Sequence, residues 1–168
     1  PALDSAKLHA FLLDQGVEVA GELTVDLISG GKSNLTFFVS DGKSTWVVRR
    51  PPTGGLTPSA HDMNREWAVT YALQGTGVPV AATVAVDPDG AVLGAPFLVM
   101  RKCDGVALPQ QPSYHVAGLL VDLAPAQRAR AWREALETMA AINRTAWQGE
   151  FDFLLSPAYG APGLDHYL

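Results

Sequence analysis

Cysteine is nearly missing: Cys103 is the single thiol among 168 residues. One thiol excludes an intrachain disulfide and suits a reducing, cytoplasmic setting. No apolar run approaches the roughly 20 residues of a membrane span, and no signal-peptide pattern opens the chain, so no membrane partner is expected. Positive charge is short as well. Twelve Lys and Arg stand against 17 Asp and Glu, a formal charge of −5. That balance argues against nucleic acid or an anionic surface as partner, yet leaves room for a local basic site facing a phosphate ligand. Internal repeats and low-complexity tracts are absent. What remains is an ordinary globular composition, 48% apolar and 17% charged, of a length that suits one domain or one and a fraction. The first residue is Pro1 and not methionine, and Leu164-Asp165-His166-Tyr167-Leu168 reads as the start of an element. The chain is therefore expected to be a piece of something longer.

The organising stretch runs from Leu27 to Pro52. It reads as a strand over 23–28, a glycine turn over 29–34, a strand over 35–40, a tight turn at Asp41-Gly42, and a strand over 44–49 that ends in two arginines. Before it, 4–15 reads as a helix capped by Asp4 and ended by Gly16, with Leu8, Phe11 and Leu12 on one face. After a loop at 51–59, a helix is expected over 60–74 with Ser59 as cap, and Met63, Trp67, Thr70, Tyr71 and Leu73 on its apolar side. Strands follow over 78–86 and 95–100, separated by Asp87-Pro88-Asp89-Gly90. An apolar run over 116–123 suggests a short helix. A long helix over 125–147 carries Trp132, Leu136, Met139, Ala140, Asn143 and Trp147 on one stripe, with Arg130–Glu134 and Arg133–Glu137 at i,i+4 opposite. Hairpin connections favour antiparallel pairing, so the fold class is α+β: a five-stranded antiparallel sheet plus helix, followed by helices.

Three chemical readings compete. Gly31-Lys32-Ser33 looks like the tail of a Walker A loop, but that loop needs a glycine where Asp26 stands and a helix where a strand follows. The second reading is a glycine turn between strands, a cation on the third strand and a glutamate on the next helix. Arg49 and Glu66 occupy those places, and an ion pair between them would hold a guanidinium over a nucleotide's phosphates. Alone, Arg49 would be a strand-end surface arginine and Glu66 a solvated helix charge; their order on the right elements favours the functional reading. Third, the strand through Met100 into Arg101-Lys102-Cys103-Asp104-Gly105 is read as an apolar edge whose free backbone groups could dock an adenine. The plain alternative is a connection between subdomains.

On these residues the chain resembles the aminoglycoside phosphotransferase family. The resemblance lies in Ser29-Gly30-Gly31-Lys32-Ser33-Asn34-Leu35-Thr36, in Trp46-Val47-Val48-Arg49-Arg50-Pro51-Pro52, in Pro58-Ser59-Ala60-His61 through Arg65-Glu66, and in Gly94-Ala95-Pro96-Phe97-Leu98-Val99-Met100 with Gly105. The branch it resembles is the phosphotransferase-like domain fused to some acyl-CoA dehydrogenases. The resemblance covers about residues 20–150. It implies a protein-kinase-like fold, ATP with Mg2+, and transfer of the γ-phosphoryl to a small-molecule hydroxyl. It assigns Ser29, Gly30, Gly31, Ser33 and Asn34 to the phosphates, Arg49 to binding them, Glu66 to orienting Arg49, and Met100, Arg101 and Cys103 to the adenine. It divides the chain into an N-terminal helix (1–20), a nucleotide-binding lobe (21–104), and a linker with the start of a helical lobe (105–168).

Departures accompany the resemblance. Arg101 stands where the family has an acidic residue, and Asn143 where it has a histidine nearby. The family's His-Gly-Asp catalytic loop with its later Asn and metal-binding Asp is not in the sequence. No catalytic or metal-ligating residue is therefore assigned within this chain, and the chain alone is expected to be inactive and to self-associate. Two alternatives remain: a non-catalytic nucleotide-binding module acting through a protein partner, and a structural interaction domain that binds no nucleotide.

Overall fold

The computed structural model describes residues 3–28, 34–52, 62–108 and 111–155. Helix α1 (Ser5–Asp14) begins where Asp4 accepts a hydrogen bond from the Lys7 N–H at 3.0 Å. It ends before Gly16, whose φ of +74° suits a residue without Cβ. Strands β1 (Thr24–Leu27), β2 (Leu35–Ser40) and β3 (Thr45–Arg50) pair antiparallel in sequence. The Asp41 carboxylate ties the β2–β3 turn, accepting from the N–H groups of Lys43, Ser44 and Ala20 at 2.8, 2.6 and 2.7 Å. Helix α2 (Met63–Leu73) follows, then β4 (Thr83–Asp87) and β5 (Phe97–Arg101).

The sheet order is β1-β2-β3-β5-β4, all antiparallel. Pleating divides its side chains between two faces. Phe37, Val39, Trp46, Val48, Phe97 and Val99 point to one face and form the core with Leu8 and Leu12 of α1, all of them at most 2% exposed. Phe11 adds an edge-on contact to Phe97, ring centroids 5.2 Å apart. Each such buried side chain contributes roughly 1.5–3 kcal/mol, so α1 is part of the sheet's core. Helix α2 packs against β4 and β5, on the face that carries Arg49.

Several boundaries differ from the sequence-based expectation. Helix α2 starts at Met63, because Asp62 is extended and its side chain accepts from the Arg65 N–H; Ser59, the expected cap, lies outside the described residues. Of its expected apolar side only Met63 is buried, while Trp67 and Tyr71 stack on each other and Tyr71 is exposed. Strand β4 starts at Thr83 and not at 78. Pro79 cannot donate to a ladder, and Gln74 ties the end of α2 to Thr83 through two side-chain hydrogen bonds. The β4–β5 turn is held by Asp87, buried, whose carboxylate accepts from the N–H groups of Gly90, Ala91 and Val92.

The apolar run at 116–123 yields only α3 (Leu119–Asp122). Helix α4 (Pro125–Arg144) ends three residues earlier than expected, where Thr145 takes ψ 124°. Gln127 accepts from the Ala124 N–H at 3.0 Å, half of a capping box. Arg130 pairs with Glu134 at 2.7 Å; Arg133 and Glu137 form no ion pair among the described residues. A 3-10 turn (Asp152–Leu155) closes the described chain. Among the described residues no helix is long and apolar enough to cross a membrane.

Candidate functional site

Strand β3 alternates its side chains, so its two terminal arginines part company. Arg50 turns to the α1 face, where it is 7% exposed. Arg49 turns to the α2 face, opposite Thr36 of β2 and Leu98 of β5. There its Nη1 donates to Glu66 Oε1 of α2 at 2.5 Å. Both side chains are about a third exposed or less, so the pair is neither fully screened nor fully buried. The Arg49 Nε is buried and has no hydrogen-bond partner among the described residues. Burial raises the Glu66 pKa above its ordinary value, and the nearby Arg49 charge opposes that rise.

The cation and carboxylate that the sequence placed on a strand and the following helix thus meet. Beside them is a cavity of about 430 Å³, lined by Asn34, Asp62, Met63, Arg65, Glu66, Val69, Thr70 and Leu154. Leu154 arrives from the 3-10 turn, far along the chain, and no local sequence signal announces it. Asn34 is hydrogen-bonded or otherwise engaged. Ser29, Gly30, Gly31 and Ser33 lie outside the described residues. The strands they connect end beside Arg49, with the Ile28 N–H donating to the Thr36 carbonyl at 2.8 Å and Leu35 paired with Arg50.

The adenine-side reading needs correction in one respect. Strand β5 is not an edge: it lies between β3 and β4. Its backbone is spent on both neighbours, the Arg101 N–H on the Ala82 carbonyl and the Lys102 N–H on the Thr45 carbonyl. The overlooked signal is Phe97-Leu98-Val99, buried on both faces, because a strand covered on both sides reads as a continuous apolar run. The N–H groups of Arg101 and Lys102 are thus already engaged, and the chain next reaches the exposed Cys103. Pleating also separates the expected adenine contacts. Met100 lies on the Arg49 face, paired across to Val47. The Arg101 side chain turns the other way and lines a groove of about 700 Å³ with Gly16–Ala20 and the β2–β3 turn.

One residue of this face escaped the sequence reading. Phe38 sits directly opposite Val47 and so shares the Arg49 face, and it is 36% exposed. Strand alternation carried across the Asp41-Gly42 turn is the signal that could have found it. Asn143, singled out on the long helix, is exposed and donates to the Met139 carbonyl at 2.9 Å. Among the described residues no group of three or more His, Cys, Asp and Glu is placed to hold a metal.

What such a site can do is bind an anion: a clamped guanidinium with spare N–H donors is suited to phosphate oxygens. The profile of the phosphotransferase enzyme family matches residues 24–166. The chain is 33% identical over 144 residues to human acyl-CoA dehydrogenase family member 11, covering 83% of this chain and 18% of that protein. The chicken protein of the same name is 34% identical over 124 residues, 74% of this chain and 15% of its own length. The chain thus spans less than a fifth of the curated relatives it matches. A crystal structure from Ralstonia eutropha JMP134, described as an aminoglycoside phosphotransferase, superposes with a TM-score of 0.73 at 29% identity, covering 96% of this chain and 43% of that one.

Proposed function

This chain belongs to the phosphotransferase enzyme family, and from that premise we propose that it carries the nucleotide-binding part of an ATP-dependent small-molecule kinase, whose complete form moves the γ-phosphoryl to a substrate hydroxyl. The observation that carries the reading is the Arg49–Glu66 pair, in which the carboxylate fixes the guanidinium and its buried Nε has no partner among the described residues. Arg49 holds phosphate oxygens, Glu66 keeps it aimed, the 29–34 segment covers the phosphates, and the base lies toward Met100 and Cys103. Mg2+ neutralises phosphate charge when bound; the carboxylates to hold it belong outside the described residues. The names of the relatives make a metabolite alcohol linked to acyl-CoA chemistry a better acceptor candidate than an antibiotic.

Titration with a fluorescent ATP analogue tests the reading. Saturable binding is expected, weakened about ten- to a hundredfold by Arg49→Ala, the equivalent of one charge-assisted hydrogen-bond group. Absence of binding, or an unmoved Kd in the variant, refutes it. A non-catalytic module would bind equally well but show no turnover in the longer protein, where a downstream His-Gly-Asp…Asn…Asp series marks the enzyme.

A further inference from the structure

We propose that Lys102 is a placeholder for the nucleobase, its ammonium standing over the Phe38 ring on the face where the base stacks. The proposal rests on the nucleotide reading above. Phe38, Val47 and Met100 form one cross-strand row on the Arg49 face of the sheet. Arg49 lies two residues further along β3 on that same face, about 7 Å away at a strand's ordinary rise. One face therefore presents a flat aromatic platform at one end and a clamped cation at the other. A nucleotide has the matching shape, a flat π-system joined through a ribose to phosphates. The order agrees as well. Arg49 is nearer the ends of β1 and β2 that segment 29–33 joins, and Phe38 nearer the end of β5.

The platform is half open but not bare. Lys102 Nζ lies 5.3 Å from the Phe38 ring centroid, within cation–π range. That ammonium has no carboxylate partner among the described residues. Only the backbone of Lys102 is tied down, through the Thr45 carbonyl, so its four-carbon stem can swing off the ring. An exposed cation–π contact is weak, whereas a base stacked on an aromatic ring is worth more. An incoming base thus displaces the ammonium, and the displacement lowers the net affinity. Phe38 and Lys102 both belong to this device; neither was assigned a role by the Arg49–Glu66 geometry.

Calorimetric titration of adenosine and of ATP into the wild-type chain and three variants tests it. Phe38→Leu weakens both ligands, by about fivefold or more. Lys102→Met tightens adenosine by about two- to fivefold. Arg49→Ala weakens ATP but leaves adenosine unchanged. Matching thermal melts show that the Phe38 and Lys102 variants are folded. If adenosine ignores both of them while Arg49→Ala still weakens ATP, the placeholder idea is overturned and the phosphate site stands. If neither ligand binds the wild-type chain, both readings fall.

Discussion

Arg49 and Arg50 are adjacent in sequence and opposite in situation. Arg49 keeps a carboxylate partner, and its usefulness depends on Glu66 being ionised. Burial raises the Glu66 pKa above its ordinary value, with Arg49 resisting. A raised carboxyl pKa means that folding favours the protonated form. Its contribution to stability is full below the unfolded-state pKa and is lost as pH rises through the raised one. The consequence for binding has the opposite sign: on acidification Glu66 becomes neutral and stops aiming Arg49. ATP affinity is expected to fall as pH drops through the raised Glu66 pKa, earlier than an ordinary glutamate would cause, with Glu66→Gln flattening the profile. Binding isotherms at a series of pH values check this.

Arg50 has no such partner among the described residues. It is 7% exposed, its Nε is buried without a hydrogen bond, and it forms no ion pair among the described residues. A buried charge without a counter-charge is costly, and apolar replacements of similar length are commonly tolerated or better. Arg50→Met is expected to stabilise the fold by about 1 kcal/mol, read as a higher urea midpoint with an unchanged slope. The Arg49–Glu66 pair was legible in the sequence because the order strand, cation, helix, glutamate is itself the signal. The fate of Arg50 was not, since two consecutive arginines look alike until strand pairing decides which face each takes.

At the scale of elements, turns and caps were the most readable features. Asp4, Gly16 and Asp41-Gly42 act through local chemistry, and each does what its residue type predicts. The placement of β5 was hidden for a physical reason. With α2 inserted between β3 and β4, chain order no longer fixes strand order, and either later strand could have joined β3. The turn that lets β5 take that place is tightly built. Gly90 has φ +73°, and a Cβ there would lie 2.7 Å from the Ala95 backbone. Gly90→Ala combines a disfavoured backbone region with a clash that no side-chain rotation relieves. A loss exceeding about 1 kcal/mol is expected, visible as a lowered melting temperature. A variant melting like the parent would show that the turn relaxes freely.

For the molecule as a whole, the sheet's two faces divide the labour. One is filled by α1, and the other carries the Arg49–Glu66 pair and the row of Phe38, Val47 and Met100. Helix α4 has no such division. It buries no residue, and Trp132, Leu136, Met139 and Ile142 are all more than half exposed. The helical period in the sequence placed Trp132, Leu136 and Met139 on one stripe, but periodicity does not say what covers it. Contiguous exposed apolar surface of this kind drives association. This length of chain is expected to self-associate at high concentration, with Leu136→Glu restoring the monomer. Light scattering that finds a monomer throughout would count against it.

The seat of α1 has a further consequence, for the order of events during synthesis. Helix α1 has its resting place against Phe97, on the strand of the described sheet that is translated last. Leu8 and Leu12 must wait, wet, while most of the lobe is translated. Because this closure joins distant parts of the chain, it is slow compared with helix formation. A nascent chain halted before β5 is therefore a natural client for chaperones that hold apolar segments.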